Sequence, residues 1–591
     1  MPSTATSTMQ AREIAEATGM TIAQIQKKMR QRRIEHDGSA QKNYPVVPAM
    51  KLISSHRSNN RRATSRRHSI AAPVEDRVPV PTSVSPCTLG APEVKIFNRS
   101  RTVNDISVAF RVGPTNSGKT FTALENLFSA FEADPTGRYV YAGPLRMLAF
   151  EVYGKMVERF GAENVGFLTG DAQINPEAAL IACTVEMTPE SGQMIVLDEA
   201  HWCIQQSRGD RWTHLMTQGS FQHFEVICSA EAVEIIEPLF QDVTDLQVHR
   251  YERRTPLVYG GTISLDDIPP SSAVVCFSRK RVFQMAEMLR LKGHQPGVLY
   301  GALPLETRKD QVRRFLSGEY DVMVVTDVIG HGVNLPIDNV IFAETVKFDG
   351  ISRRKLLTWE GGQIAGRAGR FGLSERGTVY LATGASMFSK DADSVRRFVD
   401  VASGATASDL PVIKPAVAPL YEELALSLHR GACVSEALMC WEERALQNEQ
   451  LRAVFTPMVP LDVQRSLLAL RYTGPDKQEG AAAVELPRLL WNLTSLPLRP
   501  DGKVLPAVHN ALITGSGLAL RKLIDDEVVP ALGITSLVNV ENAALTLGEL
   551  QMAYLAFPEQ CGFLDGYDLI PLRDRLVRKM SKELHRFLIG K

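Results

Sequence analysis

The sequence predicts an α/β protein: two consecutive domains built on parallel sheets, a small helix-turn-helix ahead of them and a helical region behind. Three observations lead there. Apolar strand-like runs alternate with amphipathic helical runs across 101–250, and a second such series begins near Leu257 and fills 251–402. That alternation argues for parallel strands covered on both faces by helices. A turn, Gly113-Pro114-Thr115-Asn116-Ser117-Gly118-Lys119-Thr120, separates an apolar strand-like run from a helix-like run in the first series. From 403 to 591 leucine and alanine recur at helical spacing instead.

Size and composition fit that division. A chain of 591 residues is too long for one core. Hydrophobic content of 44% and charged content of 22% are those of an ordinary globular protein and exclude a wholly disordered one. No apolar run approaches the roughly 18–20 residues that cross a bilayer, so no membrane is expected. The first residues lack the apolar core of a secretory signal. Eight cysteines are scattered without a C-x-x-C pair, so neither a zinc site nor a disulfide framework is expected. Cys183, Cys228 and Cys276 lie in apolar runs and read as small buried thiols. Net charge is zero, but residues 1–70 carry thirteen Lys/Arg against four Asp/Glu, which points to a polyanion partner at that end.

Residues 1–36 form a basic head, in which 12–34 read as a helix-turn-helix. Ala15 sits where two helices approach, Gly19 suits the turn and Thr21 the N-cap of the second helix, and Ile25 packs that helix back. Lys27, Lys28, Arg30, Arg32 and Arg33 then offer phosphate contacts, so DNA is one candidate partner. Residues 37–100 are polar, basic and then proline-rich, the composition of a flexible linker. The first α/β domain has strand-like runs at 108–112, 138–142, 165–168, 180–183, 194–197 and 224–228, and the second at 273–276, 297–300, 322–325, 340–342 and 377–382.

The chemistry gathers in three places. The turn at Gly113–Thr120 has the G-x4-G-K-[ST] spacing of a phosphate loop. Its glycines let backbone N–H groups converge on phosphate oxygens, Lys119 reaches the β- and γ-phosphates, and the Thr120 hydroxyl holds Mg2+. About 80 residues on, Met194-Ile195-Val196-Leu197-Asp198-Glu199-Ala200-His201 ends an apolar strand in two carboxylates. Asp198 would bind Mg2+ through water and Glu199 would deprotonate the attacking water. In the second domain, Gly361-Gly362-Gln363-Ile364-Ala365-Gly366-Arg367-Ala368-Gly369-Arg370 spaces Gln363, Arg367 and Arg370 to share one helix face. Arg367 and Arg370 then read as arginine fingers aimed at the γ-phosphate.

GPTNSGKT, DEAH and QIAGRAGR together resemble the ATP-site motifs of superfamily-two DExH helicases. GPLRMLAFEV, LTGD, TVEM, VVCFSRK, YGALP, VVTDVIGHGVNLP and KFDG narrow the resemblance to the Suv-type RNA helicases of the mitochondrial degradosome and their bacterial relatives, over about Ser107 to Gly372. It implies two tandem RecA-like P-loop NTPase domains that use ATP and Mg2+ to translocate 3′ to 5′ and unwind, acting on single-stranded RNA or an RNA duplex with a 3′ tail. A 3′-to-5′ exoribonuclease is the implied partner. Arg146, Thr169, Gly170, Thr184, Glu186, Ser278, Arg279 and Thr326 would line the strand-binding face, and Asp327, Gly330 and Gly332 would link it to the nucleotide. Two departures stand out: Ala200-His201 where the family has Ile-Gln, and His331 where it has Met. A DNA translocase, and an ATPase clamp that never separates strands, are the other readings. The Arg/Ser-rich stretch lies behind a motif with its own acids, which favours a cytoplasmic bacterial or phage protein over a mitochondrial-matrix one.

Overall fold

The computed structural model describes Thr8–Gln10, Asn43–Pro45 and 106–590, the last with interruptions at 206, 242, 332–334, 349–351, 370–373, 384–390, 406–413, 430–433, 471–481, 535, 562–563 and 565–566. The helix-turn-helix read over 12–34 lies outside these residues. Thr8–Gln10 pairs antiparallel with Asn43–Pro45, so one short strand falls within the stretch read as linker. Contacts divide the chain into two units. One holds Phe97–Pro415, Arg521–Leu555 and Phe563–Lys591; the other includes Ala416–Leu520 and Ala556–Gly562.

In the larger unit the first domain is an eight-stranded sheet. Its strands are β1 (Ser107–Val112), β2 (Tyr139–Gly143), β3 (Val165–Thr169), β4 (Ala172–Ile174), β5 (Leu180–Thr184), β6 (Ser191–Leu197), β7 (Ser220–Cys228) and β8 (Asp245–Arg250), in spatial order 8-1-7-6-2-5-3-4. Every pairing is parallel except β3 with β4. The central strands β2, β3 and β5 are buried along their whole length, as strands with helices on both faces must be. Helices α1 (Lys119–Ala133) and α2 (Arg146–Phe160) seal one such face. Ala123, Leu124, Leu127 and Phe128 from α1 join Val152 and Met156 from α2 over Tyr139, Tyr141, Leu180 and Val196.

The second domain is a six-stranded, wholly parallel sheet: β9 (Leu257–Ser264), β10 (Ser272–Val275), β11 (Pro296–Leu299), β12 (Val322–Val325), β13 (Asn339–Phe342) and β14 (Gly377–Thr383), in order 9-14-13-10-12-11. Helices α4 (Arg279–Leu291), α5 (Leu305–Leu316), α6 (Thr358–Ala365) and α7 (Ala392–Ser403) belong to it, and α3 (Gly209–Gln218) to the first domain. Each strand read from the sequence overlaps an observed one. The sheet strands it missed, β4, β8 and β9, lie at sheet edges with few buried side chains, so they carry no apolar run to read.

The helical C-terminal region does not stay together as the sequence suggests. Helices α8 (Leu537–Ala556) and α9 (Leu569–Leu588) fall almost wholly in the unit of the two sheets. Phe587 of α9 packs edge-on against Phe283 of α4, and Ser581 bonds Thr307 of α5. The other unit is helical: 421–429, 434–447, 449–454, 461–470, 482–495 and 504–514, with a two-residue parallel pair, Ala416–Val417 and Thr456–Pro457. Cys183, Cys228 and Cys276 are free and buried, as expected, and so are Cys203 and Cys561, while Cys440 is disulfide-bonded, against expectation. No helix among the described residues is long and apolar enough to cross a membrane.

Candidate active site

β1 delivers the turn Gly113–Gly118 to the C-terminal edge of its sheet, and α1 starts at Lys119. Gly118 holds φ at 90° and Asn116 at 59°, left-handed values that turn the chain back on itself. A side chain at Gly113 would collide with the Tyr251 carbonyl, 2.5 Å from its Cβ position. Ser117 Oγ is buried with no hydrogen-bond partner, as an oxygen meant for a ligand would be. Lys119 is buried, its Nζ 3.0 Å from the Pro114 carbonyl oxygen to which it donates. Burial pushes its pKa down, the Glu199 and Asp198 carboxylates oppose that, and the Arg367 charge adds to the depression. A phosphate group suits this cradle: a buried cation, an orphaned hydroxyl and a helix N-terminus converge on it.

β6, the neighbour of β2 and β7, ends at Asp198 and Glu199. Asp198 Oδ2 accepts from the Tyr141 hydroxyl at 2.8 Å and Oδ1 from the Glu199 N–H at 2.9 Å. Burial first, then the Glu199 charge, raises the Asp198 pKa. Glu199 adopts φ 51°, a strained value that directs its carboxylate toward the cleft. His201 is buried and its Nε2 lies 3.4 Å from Glu199, yet neither ring nitrogen makes a hydrogen bond. Burial and the Lys119 charge push its pKa down to about 4. Its ring meets Trp359 of the second domain edge-on at 5.7 Å.

The second domain brings Gln363 and Arg367 to the same place. Gln363 Nε2 donates to Glu199 Oε2 at 3.4 Å, and Gln363 Oε1 has no partner. The Arg367 guanidinium grips the Gly330 carbonyl at 2.6 Å, joining two of the expected elements, while its charge is felt by Lys119. The chain goes on winding past Gln363 to Arg367, with the Arg367 N–H on the Ile364 carbonyl at 3.1 Å and the Ala368 N–H on the Ala365 carbonyl at 3.1 Å. α6 itself stops at Ala365, these tighter turns follow it, and Gly369 has φ 71°. Gly369 turns so close to Gly377 that a Cβ there would lie 2.5 Å from the Gly377 nitrogen. Arg370 and Gly332 lie outside the described residues. Thr120 is half-buried in the first turn of α1.

Arg253 was not singled out in the sequence, and it ties the two domains together at the turn Gly113–Gly118. It donates to the Thr115 carbonyl at 3.0 Å, to the Gly366 carbonyl at 2.8 Å and to the Ala368 carbonyl. Burial, with the Arg367 charge, lowers its pKa to about 10. Asn116 adds a bond from Nδ2 to the Gly369 carbonyl at 2.8 Å. The approach is close: a Cβ on Gly366 would sit 1.7 Å from Thr115 Oγ1. The consecutive arginines Arg253-Arg254 at the domain junction were the only signal available beforehand.

The expected strand-binding residues are spread more widely. Arg146 and Arg279 keep exposed side-chain surface, 46% and 38%, but each holds a carboxylate, Asp171 at 2.6 Å and Glu541 respectively. Thr169, Thr184 and Thr326 are buried, Thr169 Oγ1 donating to Asp171 and Thr326 Oγ1 accepting from the Val328 N–H. Ser278 caps α4 by accepting from the Arg281 N–H, and Glu186 pairs with Arg208 at 2.6 Å. Gly170 lies under α8, 3.6 Å from Met552 Sδ by its would-be Cβ.

The DEXQ-box helicase domain of Suv3 matches residues 93–251, and the helicase conserved C-terminal domain matches 263–372. Among curated proteins, the chain is 34% identical over 316 residues to the ATP-dependent RNA helicase SUV3, mitochondrial, of Saccharomyces paradoxus, covering 50% of this chain and 41% of that one. It is 37% identical over 276 residues to the DExH-box ATP-dependent RNA helicase DExH16, mitochondrial, of Arabidopsis thaliana (45% and 46% covered). It is 32% identical over 291 residues to the ATP-dependent RNA helicase SUPV3L1, mitochondrial, of Gallus gallus (45% and 35% covered). The chain thus spans less than half the length of the relatives it matches.

Proposed function

We propose that this chain, whose residues 93–251 and 263–372 carry a Suv3-type DEXQ-box helicase domain and a helicase C-terminal domain, is an ATP-dependent RNA helicase moving 3′ to 5′. The observation that carries this reading is the meeting of both domains around Lys119: Gln363 on Glu199, Asn116 on Gly369 and Arg253 on Thr115, Gly366 and Ala368. A cleft assembled from two domains closes and opens with the nucleotide it holds, and that motion is what steps a motor along a strand.

In this mechanism the backbone of Gly113, Pro114, Thr115, Asn116, Ser117 and Gly118 encloses the phosphates of ATP, and Lys119 contacts the β- and γ-phosphoryl oxygens. Glu199 takes the proton of the attacking water, and Gln363, already bonded to Glu199, orients that water. Arg367 and Arg370 offset charge on the transferred phosphoryl group. Thr120 and Asp198 would hold Mg2+, which would supply positive charge at the phosphates. Loss of the γ-phosphate removes the link between domains, so grips on the RNA backbone alternate. Arg146, Ser278 and Arg279 would supply the exposed contacts, with Gly330 and Gly332 relaying strand binding to the nucleotide.

The relatives' names place them in mitochondria, which supports the matrix reading over a cytoplasmic bacterial or phage one. A 3′-to-5′ exoribonuclease partner and a DNA contact through 12–34 rest on the sequence reading. The deciding experiment compares ATP turnover with RNA, single-stranded DNA and duplex DNA, followed by strand displacement on a duplex with a 3′ RNA tail. Displacement with stimulation by RNA is expected. Hydrolysis without displacement would leave a clamp, and stimulation by DNA alone would leave a DNA translocase.

A further inference from the structure

Away from the nucleotide, positive charge collects where three elements of the larger unit meet. Arg146 opens α2 of the first domain, Arg308 lies on α5 of the second, and Arg573 lies on α9. Arg146 Nη1 and Arg573 Nη2 donate to the same oxygen, Asp171 Oδ2, at 2.6 and 3.1 Å. Asp171 Oδ1 accepts from Thr169 Oγ1 at 2.9 Å. The carboxylate is itself buried, and although burial alone would raise its pKa, Arg146 and Arg573 hold it below the usual range. Arg308 is near enough to feel both Arg146 and Asp171, and burial, reinforced by Arg146, lowers its pKa to about 10. Its Nη2 donates to the Gly301 carbonyl, but its Nε is buried with no hydrogen-bond partner.

The charges do not balance. One buried carboxylate faces three guanidinium groups. Arg573 also pairs with Glu306, 3.8 Å away with a side chain 46% exposed. Holding guanidinium groups together against their own repulsion needs a further anion, and Arg308 Nε has a donor to spare for it. Arg146 keeps 46% of its side chain in solvent, so the cluster is open on one side. Planar, forked donors converging on an open face match the tetrahedral oxygens of a phosphate.

We propose that Arg146, Arg308 and Arg573 form a seat for one backbone phosphate of single-stranded RNA, with Asp171 standing in as their anion until the strand arrives. The proposal rests on the RNA-helicase reading and adds Arg308 and Arg573 to the strand contacts. The three residues come from both sheet domains and from α9, so an occupied seat also fixes α9 against the motor. A phosphate here is read by charge and shape, with no sequence preference.

The test is binding of a labelled oligouridine RNA to the full chain by fluorescence anisotropy between 50 and 200 mM salt, for the parent, Arg308→Gln, Arg573→Gln and Asp171→Asn. Each arginine variant is expected to bind at least about fivefold more weakly, and to flatten the log–log salt dependence by roughly 0.7, the value for one phosphate on a single strand. Asp171→Asn is expected to bind RNA more tightly, because the strand no longer displaces a carboxylate. Melting temperatures identify variants that fold, and either arginine variant alone decides the matter. A folded arginine variant with the parent's affinity and salt slope overturns the seat while leaving the helicase reading intact. A parent that does not bind RNA overturns both.

Discussion

Gln363 Nε2 of the second domain donates to Glu199 Oε2 of the first across 3.4 Å, and the other Gln363 atom able to bond, Oε1, has no partner. The carboxylate proposed as base is therefore met by an amide from the opposite domain that still has an acceptor to offer a water.

Glu199→Gln is expected to keep ATP binding and to lower turnover at least about 100-fold, the lower end of what a general base contributes. Single-turnover hydrolysis with a separate nucleotide-binding assay measures both. Turnover near the parent rate would remove Glu199 from the role. Lys119→Ala is expected to abolish turnover under the same conditions.

Arg253→Ala removes the donors to Thr115, Gly366 and Ala368 at once. Turnover is expected to fall about 10- to 100-fold, on the scale of losing a positioning group near the reacting phosphate. Arg253→Lys should recover little, because a single ammonium cannot span the carbonyls that the fork reaches. Full activity in the lysine variant would show the tie to be dispensable.

Glu225 pairs bidentately with Arg111, at 2.5 and 2.7 Å, inside the first sheet. Burial opposes its ionisation, but the bonds from Arg111, His223 and Asn126 win and bring its pKa to about 2. Its folded pKa is below its unfolded one, so the stabilisation is complete above about pH 4.5 and fades as pH falls toward 2. Glu225→Gln should cost about 2–4 kcal/mol near neutral pH, and the gap to the parent should narrow in acid. Denaturant melts at a series of pH values measure it; a gap independent of pH would contradict the assignment.

His201 adds a loss in the same direction at higher pH, because burial penalises its charged form. Its pKa of about 4 in the folded chain is below the ordinary 6.5, so the unfolded chain takes up a proton first and stability drains away as pH falls from about 6.5 to 4. His201→Gln should lessen that loss, and melting temperatures at pH 7 and pH 5 would read it as a smaller drop than the parent's.

The candidate site could be read in part from the sequence because its pieces are local. A strand, a turn of fixed glycine spacing and a helix can be read from Gly113 to Thr120, and Asp198-Glu199 sits at the end of an apolar strand. Central strands announced themselves through unbroken apolar runs, while the edge strands β4 and β8 did not, having one or both faces in solvent. Arg253 stayed hidden because its role depends on carbonyls more than a hundred residues away, which no spacing rule reaches. The division of the C-terminal helices was hidden for the same reason: Glu541 and Arg573 find Arg279 and Asp171 across the fold. Gln363 and Arg367 stood out by their spacing, and what spacing did not show is that α6 ends at Ala365 and Arg367 follows in a tighter turn.

The clearance at Gly366 sets a tolerance for the approach of the two sheet domains. With a methyl group there the Thr115 hydroxyl would have to swing aside and the Thr115 Cβ, 3.0 Å away, would have to give, pressing apart the segments that Arg253 and Asn116 join. Alanine at 366 would then act as a spacer, leaving one lobe able to capture a nucleotide that the other could no longer help to split.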